Sequence, residues 1–118
     1  MRVLMVFLTI LAGPVMAEDA WVKLETEQQV LEALDDKALR YTTAKQIFYL
    51  SGRTLYDAGR PSWGNWRPQG GQYCSEWPPN AGWDCYDLYV SGDGTKVRFV
   101  GGAEGTDITV GQYVPVRE

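Results

Sequence analysis

The sequence predicts a mainly β protein, an antiparallel meander forming a small barrel or a strongly bent sheet, with one short N-terminal helix and one cross-strand disulfide. Three observations predict it. The 118 residues include 13 Gly, 6 Pro, 5 Trp and 7 Tyr, a composition of turns and of strand-forming side chains. Short β-rich runs recur at close spacing, separated by Gly, Pro, Asn and Ser, as in a meander. The two cysteines, Cys74 and Cys85, stand in adjacent predicted strands. The length suits one domain, since domains run to roughly 100–150 residues.

The chain begins with a three-part export pattern. Arg2 is basic, residues 3–11 (VLMVFLTIL) form an apolar run, and Val15-Met16-Ala17 places small residues before a cleavage site. This arrangement predicts a signal peptide over residues 1–17 and a single disulfide-stapled domain over 18–118. The apolar run is too short to span ~30 Å of hydrocarbon, so no membrane span is expected after cleavage. The product is expected in the periplasm or outside the cell. Removal of residues 1–17 takes only Arg2 from the charge count, leaving 10 basic and 15 acidic side chains. That balance argues against a nucleic-acid partner, which calls for a basic face.

The elements follow in order. Thr26-Glu27-Gln28-Gln29 is a capping box and starts a helix. Val30, Leu31 and Leu34 give it an apolar stripe, and Asp35-Asp36 ends it. The stripe must be buried, so the helix is expected to plug one end of the sheet. Strands are then expected over residues 38–43, 46–50, 54–56, 62–67, 71–77, 83–90, 95–100, 106–110 and 112–114. Consecutive strands are ordinarily neighbours, so up-and-down order is expected.

An oxidising compartment favours a Cys74–Cys85 bond. With Cys74 opposite Cys85, Tyr73 faces Tyr86, Ser75 faces Asp84 and Glu76 faces Trp83. Alternation then sorts the side chains. Tyr73, Ser75, Trp77, Asp84, Tyr86, Leu88 and Val90 share the more apolar face, which is expected to be the core. Closing this short loop contributes about 3 kcal/mol on a chain-entropy argument.

The stretch Gly71-Gln72-Tyr73-Cys74-Ser75-Glu76-Trp77-Pro78-Pro79, followed by Trp83-Asp84-Cys85-Tyr86 and Arg98-Phe99-Val100-Gly101, resembles a family of small exported bacterial β-rich proteins that lacks a settled activity. Trp63-Gly64-Asn65-Trp66 belongs to the same pattern, which covers about half the mature chain. The rhythm of strands is also similar to lipocalin-like secreted meanders. The resemblance implies a small exported barrel and assigns no activity to any residue. A dinucleotide-dependent reductase is excluded, because no strand–Gly-x-Gly-x-x-Gly–helix unit is present.

Chemistry-bearing motifs are few. The sequence has no His, so a Ser-His-Asp triad cannot form. Two thiols without His do not make a zinc site, and no metal or other cofactor is expected. Asp93-Gly94-Thr95 lacks the oxygen-ligand series of a calcium loop and suits a hairpin turn. The aromatic cluster remains. Trp63, Trp66, Trp77 and Trp83 fall within 21 residues. They are candidates for stacking on a ligand, or for filling a small barrel. Trp77 and Trp83 flank the Pro78–Ala81 hairpin tip and are the favoured pair, while at least one of Trp63 and Trp66 is expected to be buried. The function expected is non-enzymatic binding of a small ligand or an envelope protein. The alternatives are an envelope-associated structural module without a small-molecule site and, as a third reading, a small hydrolase.

Intact-mass measurement on the exported protein is expected to give a chain beginning at Glu18. Retention of Met1 in that fraction overturns the leader assignment.

Overall fold

The computed structural model describes residues 20–117. The leader expected over residues 1–17 lies outside the described residues. Nine strands and one helix are present among them: β1 (Trp21–Lys23), α1 (Glu27–Leu34), β2 (Lys37–Arg40), β3 (Lys45–Phe48), β4 (Arg53–Asp57), β5 (Pro61–Gln69), β6 (Gln72–Glu76), β7 (Asp84–Ser91), β8 (Lys96–Gly101) and β9 (Asp107–Val114). From β2 to β9 each strand pairs antiparallel with the next. The ring closes where β9 returns to β2, with Ala38 opposite Val114 and Leu39 opposite Tyr113. The result is an eight-stranded up-and-down barrel, in which closure leaves no free edge between neighbours. β1 lies outside the ring and pairs with the far end of β7, Trp21 opposite Ser91 and Lys23 opposite Tyr89.

The helix forms where the capping box places it. The Thr26 side chain accepts the Gln29 amide at 3.2 Å, and Gln29 Oε1 accepts the Thr26 amide at 3.1 Å. Both bonds satisfy amides that lack an intrahelical partner. At the other end the Asp35 amide donates to the Leu31 carbonyl, and Asp36 turns the chain with φ 56°. α1 touches β2, β5 and β6. β2 and β6 are on opposite sides of the ring, so the helix spans the opening. Val30 and Leu34 are fully buried beneath it among Leu39, Phe48, Leu88 and Val97. Tyr113 Oη donates to the Ala33 carbonyl at 2.6 Å and ties the helix to the last strand.

The β6–β7 hairpin has the expected register. Tyr73 faces Tyr86, Cys74 faces Cys85 and Ser75 faces Asp84, and Cys74 and Cys85 are bonded. Tyr73, Ser75 and Leu88 are buried inside the barrel. The expected Glu76–Trp83 pair does not form. β6 ends at Glu76, which faces Asn65 of β5 and accepts its side-chain amide at 3.1 Å, and β7 starts only at Asp84.

Three further differences have local causes. β1 is too short, at three residues, to show a periodic signal in sequence. The two strands expected over 106–110 and 112–114 are one strand through Gly111. A Cβ there would meet Tyr41 Cε1 at 2.8 Å and Leu39 Cβ at 3.0 Å, so the glycine admits a ring and does not break the strand. β5 runs on through Pro68. β4 pairs no further than Asn65, so no ladder bond on that side is lost at the proline.

The tryptophans of β5 split between faces as alternation requires. Trp66 is inside at 4% exposure and Trp63 outside at 48%. Trp66→Ala is therefore expected to cost about 3–5 kcal/mol, and Trp63→Ala and Trp83→Ala far less. Denaturant midpoints of the three variants check this; similar losses in all three contradict it.

Candidate functional site

The barrel interior is filled at the helix end and hollow at the other. Phe48, Tyr73 and Phe99 form the floor between the halves. Their ring centroids lie 5.6 Å (Phe48–Tyr73), 5.2 Å (Tyr73–Phe99) and 6.4 Å (Phe48–Phe99) apart, distances at which aromatic pairs attract beyond simple burial. Below the floor Trp66 packs edge-on against Phe48 and donates its Nε1 proton to the Tyr49 carbonyl at 3.0 Å. Above it a cavity of about 910 Å³ opens to solvent. Its walls come from the strand ends opposite the helix, including Tyr41, Tyr56, Ser75, Trp77 and Tyr86.

Three inward-facing glycines keep this half hollow. A Cβ on Gly64 would meet the Trp77 ring at 2.6 Å; one on Gly101 would collide with the Tyr86 ring, and one on Gly111 with Tyr41. Each ring occupies the space its glycine leaves, and so lies against the wall instead of crossing the centre. The rings also support one another. Tyr41 and Tyr56 are 6.1 Å apart, Tyr56 meets Trp77 edge-on at 6.1 Å, and Tyr73 and Tyr86 are 6.1 Å apart.

A buried polar network holds the floor in place. Gln46, inward-facing on β3, donates through Nε2 to Thr54 Oγ1 at 2.9 Å and to Tyr73 Oη at 3.0 Å. Its Oε1 accepts the Tyr41 hydroxyl at 2.7 Å. Thr54 passes its own proton to the Ile47 carbonyl at 2.8 Å. Both amide protons of Gln46 are thus used, as burial demands. Trp77 Nε1 donates to Ser75 Oγ at 3.1 Å, which fixes the indole against the wall.

Three of the lining phenols, Tyr41, Tyr73 and Tyr86, hold their protons more tightly than usual. Burial raises the Tyr41 hydroxyl well above its ordinary range, with repulsion from Tyr73 and Tyr56 adding to it. Burial also raises Tyr73, partly offset by hydrogen bonds with Ser75 and Gln46. Tyr86 is raised by burial and then by the carboxylates of Asp107 and Asp84. These three groups therefore act as neutral hydrogen-bonding hydroxyls. Asp107, inward-facing near the start of β9, is the one charged side chain among the described lining residues.

The four tryptophans singled out in the sequence are not brought together. Trp77 lines the cavity. Trp63 reaches only its rim, its ring stacked on Tyr49 and under Arg53 at 4.8 Å. Trp66 lies beneath the floor. Trp83 is on the outer surface with the Arg67 guanidinium 4.1 Å from its ring centre. Of the favoured pair, only Trp77 stands in the cavity. Sequence reasoning missed Gln46, Tyr41 and Tyr56 and treated Ser75 as core alone, while Tyr73 and Tyr86 stood near the tryptophan cluster without being named as site residues. The alternation that placed Ser75 and Tyr86 inward was the available signal. The Asp93 loop is a hairpin turn: its carboxylate accepts from Ser91 and Thr95, which hold it below the usual range. No protein-family model matches the chain, and no curated protein or solved structure shows significant similarity to it.

Raised phenol values carry a stability consequence. A buried phenol binds its proton more tightly in the folded state, so its contribution is complete below pH 10 and is lost as pH rises through the folded value. For Tyr113 that value is about 12, through burial. Stability is expected to fall between pH 10 and about 12, with part of the tyrosinate absorbance appearing only on unfolding. Parallel absorbance and denaturant titrations check this; full tyrosinate formation near pH 10 in the folded protein contradicts it.

Proposed function

We propose that this is an exported, non-enzymatic binding barrel that holds a small ligand in its open mouth. The carrying observation is the aromatic-lined cavity of about 910 Å³ above the Phe48–Tyr73–Phe99 floor. Ligand cavities run to roughly 300–1,000 Å³ and combine apolar walls with a few placed polar groups. Here Gln46, Ser75 and the phenols supply the polar groups, and hydrogen bonds already hold several of them in position. Such preorganisation lowers the ordering cost of binding. The lining favours holding over reacting: its hydroxyls belong to tyrosines, serines and threonines, and no histidine exists in the chain to activate them.

N-phenyl-1-naphthylamine, an uncharged fluorescent probe, tests the reading. Saturable binding at one site per chain is expected. Trp77→Ala is expected to weaken it about tenfold, from loss of a stacking wall, while Trp83→Ala leaves it unchanged. Absence of saturable binding to the wild-type protein overturns the proposal.

A further inference from the structure

The charge of the mouth narrows the class of ligand. Its lining includes no lysine or arginine among the described residues, and its one ionic group is the Asp107 carboxylate. Asp84 faces Ser75 in the inward register and lies close enough to Tyr86 for its charge, like that of Asp107, to raise the phenol. An anionic guest would meet repulsion from Asp107 and, among the described lining residues, only uncharged donors, the nearest guanidinium in a ring contact being Arg53, over Trp63 at the rim. A cation would meet a carboxylate at the rim and the negative faces of aromatic rings, which attract ammonium and guanidinium groups.

The chain's outward aromatic residues show how it treats such faces elsewhere. Arg53 sits over Trp63 and Arg67 over Trp83. Arg98 lies 4.7 Å from the Trp21 ring centre and 4.6 Å from that of Tyr89. These outer tryptophans each carry an arginine of the protein. Trp77 has its indole N–H tied to Ser75 and faces a cavity that no basic side chain lines among the described residues. Its neighbours Tyr56 and Tyr86 line the same space.

We infer that the ligand is a small organic cation, with an ammonium group beside Asp107 and an apolar body against Trp77, Tyr56 and Tyr86. This rests on the binding-barrel reading and adds the sign of the ligand's charge to it. Asp107 supplies long-range attraction, and the rings supply contact and a share of the cation's stabilisation.

Three probes of similar shape separate the inference from its parent: 2-phenylethylammonium, 2-phenylethanol and phenylacetate, each used to displace N-phenyl-1-naphthylamine at pH 7. The cation is expected to displace the probe at about tenfold lower concentration than the alcohol, with phenylacetate weakest. In Asp107→Asn the ratio of cation to alcohol affinity is expected to fall to about one. If the probe binds but the alcohol or phenylacetate competes as well as the ammonium, the cation inference is overturned and the binding reading stands. An unchanged ratio in Asp107→Asn also overturns it. If neither the fluorescent probe nor the ammonium binds, both fall. The wild-type comparison is decisive by itself, should Asp107→Asn fail to fold.

Discussion

A β-strand allows no partial adjustment of register: a slip of one residue sends every side chain to the other face. The Cys74–Cys85 bridge removes that freedom from β6 and β7, because the two cysteines stand directly opposite on the outer face. With the bridge outside, Tyr73, Ser75, Tyr86 and Leu88 must point inward. Those residues supply part of the floor, two walls of the mouth and one contact of the deep core. The cross-link therefore acts on what the barrel encloses as well as on the entropy of the unfolded chain.

The contrast between the two ends of the barrel follows from side-chain size at inward positions. Toward the helix these positions hold Leu39, Phe48, Trp66, Leu88 and Val97, with Val30 and Leu34 inserted from α1. Toward the mouth, glycine recurs at inward positions 64, 101 and 111, each beneath an aromatic ring. A ring seated over glycine covers wall area while leaving the axis open. Gln46 joins the halves, since its hydrogen bonds tie Tyr41 at the mouth to Tyr73 in the floor. A single buried amide thereby couples the position of the wall to that of the core.

Local signals in the sequence proved reliable where the structure is local. The Thr26 capping box, the Asp93 turn and the β6–β7 face assignment all depend on residues close in the chain, and each formed as expected. The mouth depends on closure instead. Gln46 and Tyr73 are 27 positions apart and meet only because the sheet curls, bringing the inward faces of β3 and β6 together across β4 and β5. The density of tryptophan between residues 63 and 83 suggested one site, yet alternation and strand ends send the four indoles to four environments. Trp83 lies away from the cavity because it shares the outward parity of Cys85, where the Arg67 guanidinium covers its ring. The glycines misled in a different way: Gly111 reads as a break in sequence, and in the barrel it is a seat for Tyr41.

The two ends of the described chain share responsibility for the ring. β1 docks on β7, and β2 receives β9, so residues near position 38 find their partners near position 114. A growing chain carries β2 with one edge unpaired until the final strand is available. Folding is thereby weighted toward contacts distant in sequence, which slows it relative to helical proteins of equal size. Until β9 arrives, the open meander exposes two strand edges able to pair with other chains. The closing strand thus protects the molecule from self-association, and the few residues from Asp107 to Val114 matter more to solubility during synthesis than their mostly exposed side chains suggest.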